Sequence, residues 1–472
     1  MEHLIQPPHA GNANRTVGQR DGKIVAAIDI GTTKVITLVG REIAGGKVHV
    51  LACSEALLSR DSMLRGEVLH EGNVRDAIAA TLADVREKGA FDVREVYVGV
   101  AGSHCRCIDN TITQLRVNGA TEITEYELKA MEDEMYHQPV DPGEKILHIA
   151  TQEYQVDTYP HIANPVGMPG KRLSANYRLF VGHEAPIDKI NWCIRHAGLT
   201  LKQRLFKPLA PAQAVLSDDE KERGVAVVDM GGGTTSVVVY YDHIVRYAAI
   251  IPFGGNSITE DVRDGCGVLR RHAGAIKIQY GSCYSDLVNA NTTLVIDVNG
   301  DHEPQKIAFT FLAGIIEARM EEIIEAVVYN IEQSGFADQL PGGIVFTGGG
   351  AMMQHLKEFV TAKTGRPVRI ARPLHVTSDS PKDVRHCSYA TAVGLLLQGI
   401  AAENAAAITA QIANVMQTPH DAQEKKGELA GASPEEQGAG DRKNNGRKPS
   451  RKKTIDLVGD LFKDFFKKDD GV

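Results

Sequence analysis

Two short stretches, centred on Asp29 and Asp229 and so 200 positions apart, follow one pattern, and a chain that carries it twice has few folds open to it. Residues 24–39 read IVAAIDIGTTKVITLV and residues 224–240 read GVAVVDMGGGTTSVVVY. Each predicts a buried strand, an aspartate, a Gly/Thr turn and a second strand, which is a β-hairpin with a polar tip. Glycine lets backbone N–H groups approach an anion closely, and threonine hydroxyls add donors. Asp29 and Asp229 repel phosphate, but each can hold a hydrated Mg²⁺ of the kind that accompanies nucleotide phosphates. One such tip is common. Two matching tips predict a duplicated α/β fold whose halves face a single nucleotide.

A third segment points the same way. Residues 344–351 (IVFTGGGA) form an apolar run that ends in Gly348, Gly349 and Gly350, followed by a helical run over 353–359. Three bare glycines suit close approach of another group, here the face of adenine or the ribose. Farther on, 389–397 (YATAVGLLL) puts small residues at helical spacing, as tight helix packing between two hinged halves requires.

The other extreme of the sequence has a different chemistry. On a helix over 453–468 (KTIDLVGDLFKDFFKK), Ile455, Leu457, Val458, Leu461, Phe462, Phe465 and Phe466 share one half of the circumference. Asp456, Asp460, Asp464, Lys463 and Lys467 take the other. At 1.5 Å per residue the helix is about 22 Å long, short of the ~30 Å bilayer core, so it suits lying in the membrane surface. The preceding 417–453 has almost no large apolar residue and is expected to stay disordered. Arg447, Lys448, Arg451, Lys452 and Lys453 crowd against the helix, adding roughly 1 kcal/mol each near an anionic leaflet.

The chain's 472 residues exceed one hydrophobic core and imply several domains. A net charge of −8 argues against nucleic acid as the main partner. No apolar run of membrane-spanning length and no secretory h-region is expected, and seven scattered cysteines fit a reducing cytosol. Cys105 and Cys107 form the one close pair and are expected to be ordinary strand residues.

The order of hairpin, hairpin and glycine turn resembles the actin-like ATPase superfamily, and finer details resemble its FtsA family of bacterial cell-division proteins. Those details are 96–104 (VYVGVAGSH), 146–148, 152–154, 164–168, 208–210 and 315–319. The resemblance covers about 23–400, and the terminal amphipathic segment matches the family's membrane-targeting sequence. It implies a disordered extension at 1–22 and domain 1A at 23–101 and 182–204 around an inserted domain 1C at 102–181. Domain 2A would take 205–249 and, with the return to 1A, 331–400, enclosing domain 2B at 250–330. An Ala-rich segment and disordered linker at 401–453 would lead to the membrane-targeting helix at 454–468.

By the same resemblance, Asp29, Gly31, Thr32, Thr33 and Lys34 match the first phosphate motif, and Asp229, Gly231, Gly232, Gly233, Thr234 and Thr235 the second. Gly348, Gly349 and Gly350 match the adenosine motif, and Lys277 a residue near the nucleoside. Asp29 and Asp229 would hold Mg²⁺. Three departures stand out: Gly274 replaces a usual Glu, Ser236 a frequent Asp, and Lys207 precedes Pro208 where better hydrolysers carry Glu or Gln. A charged lysine cannot accept a proton from attacking water, which leaves Asp229 and Gln213 as the catalytic candidates and implies slow turnover. Arg319 falls where the family receives the C-terminal peptide of FtsZ, the tubulin-like division protein. The implied partners are that peptide, further copies in a filament, anionic lipid and other division proteins, at the cytoplasmic face of the inner membrane at the septum. A pilus or secretion adaptor and a small-molecule kinase of the same superfamily are the alternative readings.

Overall fold

The computed structural model describes residues 22–43, 46–89, 91–119, 121–296 and 305–417, with side chains to 410. The 1–21 extension, the linker beyond 417 and the amphipathic segment with Ile455, Leu457, Val458, Leu461, Phe462, Lys463, Phe465, Phe466 and Lys467 lie outside the described residues. The chain divides into a unit of residues 1–412, which holds every described strand, and a second unit of 413–472.

Two central sheets repeat one plan. The first runs Thr200–Phe206, Glu95–Val100, Val25–Ile30, Lys34–Ile43, Lys47–Leu57, Val376–Ser378. The second runs Ile244–Ile251, Thr235–Tyr241, Val225–Met230, Ile344–Thr347, Val368–Ile370. Within them the two hairpins pair in identical register: Val25 with Gly40 and Asp29 with Ile36 in one, Val225 with Tyr240 and Asp229 with Ser236 in the other. Each leading strand also has a parallel neighbour on its other side, Glu95–Val100 and Ile344–Thr347.

Strand alternation explains where the aspartates go. Side chains on a strand point to opposite faces in turn. Val25 and Ala27, like Val225 and Val227, enter a core shared by both lobes. Ala26, Ile28 and Ile30 pack instead on the outer helices of the first lobe, and Ala226, Val228 and Met230 on those of the second. Both faces are therefore covered, which is why these strands read as unbroken apolar runs. Asp29 and Asp229 have the parity of the shared face. They are its last members, set where that core gives way to a cleft.

The shared core is bridged by Ala210–Val215 and the first half of Ala390–Gln417. A Cβ added to Gly394 would lie 1.7 Å from the Ala210 carbonyl oxygen, so the two helices meet at a contact only glycine permits. Contrary to the expectation from sequence, among the described residues one helix (387–410) is long and apolar enough, by length and composition, to cross a membrane; half of its most apolar 18 residues are buried here, because its apolar surface joins the two lobes.

The 102–181 segment forms its own four-stranded sheet, Arg106–Leu115, Arg172–His183, Glu144–Val156, Tyr159–Ile162, with the helix Glu125–Met135. Thr124 and Glu127 form a capping box that starts the helix, and Met131 and Met135 fill a separate small core with Ile112, Ile149 and Tyr177. In the second lobe, helices Gly255–Cys266, Arg270–Tyr280 and Phe309–Gln333 cover the sheet. Cys107 lies on a strand as expected and Cys105 just before it, and among the described residues no group of metal-ligating side chains gathers around them.

Candidate functional site

The two tips face each other across the cleft. Each turn is closed by the same bond, Gly31 N–H to Lys34 O at 3.0 Å and Gly231 N–H to Thr234 O at 2.9 Å. A Cβ on Gly232 would sit 2.6 Å from Thr33 Cγ2, and one on Gly233 2.5 Å from Thr32 Oγ1. The glycines of the second tip thus leave room for the threonines of the first. Asp29, Gly31, Thr32, Thr33, Asp229, Gly231, Gly232, Thr234, Gly348 and Gly349 line the space between. It measures about 150 Å³, below the ~300 Å³ of ordinary ligand pockets.

The aspartates have different company. Asp29, 7% exposed, is ion-paired through Oδ1 to Lys207 Nζ at 2.6 Å. The same ammonium donates to Ile30 O at 2.8 Å. Asp229 accepts a hydrogen bond at Oδ2 from the Thr391 hydroxyl, 2.8 Å away on the bridging helix. Burial raises its pKa, while the Thr391 bond and Lys207 oppose the shift. Gly348 has φ +85°, and a Cβ there would lie 2.2 Å from Asp229 Oδ1. The glycine turn thus comes against the second aspartate, as close approach of backbone demands. Gly350 packs on Met230 instead, where an added Cβ would meet Cγ at 2.3 Å.

Several expected residues act one step back from the cleft. Lys34 lines it, but its ammonium pairs with Glu55 at 2.9 Å and lies over the Tyr389 ring. Burial works to raise the Glu55 pKa, yet the Lys382 and Lys34 ammonium groups and the Tyr389 hydroxyl outweigh it and hold the carboxyl at about 2. The Thr235 hydroxyl is buried and donates to Phe253 O at 2.9 Å, which is a structural role. Lys277 donates to Gly255 O at 2.7 Å and Thr259 Oγ1 at 2.8 Å, and burial pushes its pKa down to about 8. Its contact is indirect, because the N-terminus of Gly255–Cys266 carries the tip: Gly255 N–H and Asn256 N–H donate to Gly231 O and Gly232 O.

One expectation needs correction. Gln213 does not face the cleft. It is exposed on the short Ala210–Val215 helix and lines a separate groove with His148, Phe206 and Leu397, because the helix phase set by the Pro211 turn points it outward. Arg319 is ion-paired within the chain. Its guanidinium grips Asp261 through Nε at 2.6 Å and Nη2 at 3.0 Å, a bidentate pair. The signal sequence reasoning missed is Lys207: its place before Pro208 was legible, its pairing with Asp29 was not.

Comparison with known proteins supplies the family. Residues 226–394 match the family described as cell division protein FtsA, and 102–181 match the SHS2 domain inserted in FtsA. Cell division protein FtsA of Neisseria meningitidis serogroup B is 31% identical over 388 residues, covering 80% of this chain and 90% of that protein. The Escherichia coli K12 protein of the same description is 30% identical over 386 residues, covering 80% and 91%. Among solved structures, the PilM–PilN type IV pilus biogenesis complex aligns with a TM-score of 0.56 at 16% identity, over 80% of this chain and 98% of that one, which is a likeness of fold.

Proposed function

The chain belongs to the FtsA family of cell-division proteins and has its duplicated actin-like ATPase fold with an inserted domain, and from that premise we propose that it is an ATP-dependent membrane tether for FtsZ filaments. It binds ATP between its lobes, turns it over slowly, and assembles into filaments on the cytoplasmic face of the inner membrane at the septum. The observation that carries the reading is the pair of tips in identical register, facing each other across one cleft.

The residues present fit a nucleotide. Thr32, Thr33, Gly232 and Thr234 offer backbone N–H and hydroxyl donors for phosphate oxygens, and Gly348 and Gly349 offer bare backbone for the nucleoside. Asp229 fits a hydrated Mg²⁺: among the described residues this carboxylate makes no ion pair, and burial disfavours its charge. The ion would neutralise charge on the phosphates. Asp29 fits it less well, since Lys207 already holds that carboxylate. No carboxylate or amide stands at Lys207 to orient water, which supports slow turnover. The Ala210–Gly394 contact makes the bridging helices the natural hinge. The terminal amphipathic segment is weak as a single anchor, and many copies aligned in a filament convert it into a strong one.

Electron microscopy of the full chain on anionic vesicles tests this. Filaments are expected with Mg·ATP and not without nucleotide, and a chain ending at Gln417 is expected to stay off the lipid in sedimentation. Failure to bind adenine nucleotide in the presence of magnesium would overturn the reading. Binding of FtsZ C-terminal peptide separates it from a pilus adaptor of the same fold, with Arg319→Glu expected to weaken that binding and spare ATP.

A further inference from the structure

A lysine ammonium has three N–H donors. Lys207 donates one to Ile30 O and ion-pairs with Asp29 Oδ1 at 2.6 Å without an aligned hydrogen bond, and its side chain lines the cleft between the two tips. Among the described residues Ile30 O is the one acceptor its N–H groups bond, so donor capacity remains for whatever enters that cleft. The root of the side chain is fixed as well: a Cβ on Gly99 would lie 3.2 Å from Lys207 Cβ, so the neighbouring strand crowds it from behind. Lys207 also sits where the edge strand Thr200–Phe206 ends and Pro208 begins a rigid turn, which leaves it little freedom to withdraw. Its charge reaches Asp229 too. One fixed positive charge therefore serves two carboxylates that would otherwise call for a metal ion.

We propose that Lys207 is the resident cation of this cleft, holding Asp29 and giving a remaining N–H to a terminal phosphate oxygen, so that nucleotide binding by this chain depends only weakly on magnesium. This rests on the reading that a nucleotide binds between the tips. It explains why a residue useless as a base occupies the position: the lysine supplies, by covalent attachment, part of the neutralisation that a hydrated ion supplies elsewhere. Of the two candidate metal ligands, Asp229 alone then remains for a divalent ion, and that ion assists binding without being required for it.

The test is equilibrium dialysis of radiolabelled ATP against the full-length chain, in excess magnesium and in excess EDTA. For the unaltered protein, removing the metal is expected to weaken binding by no more than about threefold. For Lys207→Gln the same removal is expected to cost about tenfold to hundredfold, the range for losing a hydrogen bond to a charged group. Lys207→Arg, which keeps the charge, is expected to behave like the unaltered protein. Equal metal dependence in the unaltered protein and Lys207→Gln would overturn the inference and leave the cleft reading intact. If Lys207→Gln does not fold, a loss above about tenfold for the unaltered protein in EDTA overturns it alone. If the unaltered chain binds no ATP in either buffer, the cleft reading fails and this inference with it.

Discussion

The two halves of the clamp share a register and differ in how each aspartate is neutralised. In the first, Asp29 is paired with Lys207 and the tip lysine, Lys34, with Glu55. In the second, Asp229 has a threonine hydroxyl, and the lysine behind the tip, Lys277, has a carbonyl and another hydroxyl. The first half is electrostatically closed and the second open. Duplication conserved the backbone geometry, which packing enforces, and left charge balance free to diverge. The second half is accordingly the one that has use for an added cation at its aspartate.

The largest expected effect lies in the glycine turn. By strand pairing, Gly348 in the second half corresponds to Val100 in the first, since Val227 faces Val345 as Ala27 faces Tyr97. The first half tolerates a valine there. The second cannot, because φ at Gly348 is +85° and a Cβ would lie 2.2 Å from Asp229 Oδ1 and 2.6 Å from Met230 O. Gly348→Ala is expected to lose about 3 kcal/mol of stability and to abolish ATP binding, measured by urea denaturation and dialysis. A mild effect would mean that the turn is free to move and that the halves are more alike than they look.

Paired substitutions of the aspartates come next. Asp29→Asn strips Lys207 of its counter-ion at a site where the ammonium side chain is only 21% exposed, and is expected to cost about 2 kcal/mol. Asp229→Asn removes a carboxylate whose charge burial disfavours, while Asn still accepts from Thr391. It is expected to leave stability within about 0.5 kcal/mol of the unaltered protein, or to raise it, while lowering the response of ATP binding to magnesium. Equal losses from the two changes would erase the asymmetry.

Acid titration gives a smaller, directional effect. Glu55 is held at about 2 against an ordinary 4.5, so it contributes stability above its unfolded pKa that is lost as pH falls from there toward 2. The raised pKa of Asp229 acts with the opposite sign: its charge costs stability once pH exceeds the unfolded value. Glu55→Gln is expected to flatten the acid limb of a urea-midpoint curve between pH 4.5 and 2, and Asp229→Asn to remove a loss of stability that sets in only above pH 3.8.

How far these features could be read in the sequence follows from their range. The hairpins were legible because a buried strand, a polar tip and a second strand are local patterns, and strand parity then fixed the direction of Asp29 and Asp229. Charge pairing was not, because Lys34 meets Glu55 across a neighbouring strand and Thr391 meets Asp229 from 162 residues away. Gln213 was misplaced because its direction depends on the phase of a six-residue helix after Pro211, which no periodicity reveals. The Arg319–Asp261 pair was hidden for the same reason, since Asp261 is 58 residues distant on another helix.

The smallest expected effect probes the open second half at its lysine. Lys277 lacks the carboxylate that Lys34 has, and its pKa is pushed down to about 8. The fold therefore gains stability as pH rises from about 8 toward the unfolded value, where the buried ammonium no longer has to be charged. Gly274 lies on the same helix, three residues earlier, and a Cβ there would meet only Thr259 Cγ2, at 3.8 Å. Thr259 is also the residue whose hydroxyl binds Lys277, so a glutamate at 274 starts beside that ammonium. Gly274→Glu is expected to add about 0.5–1 kcal/mol, from helix propensity and the new i,i+3 pair. It should also shrink the rise in stability above pH 8, measured by thermal unfolding across that window. A gain in stability with the alkaline rise unchanged would mean that the glutamate acts on the helix alone, and that Lys277 stays without a carboxylate partner.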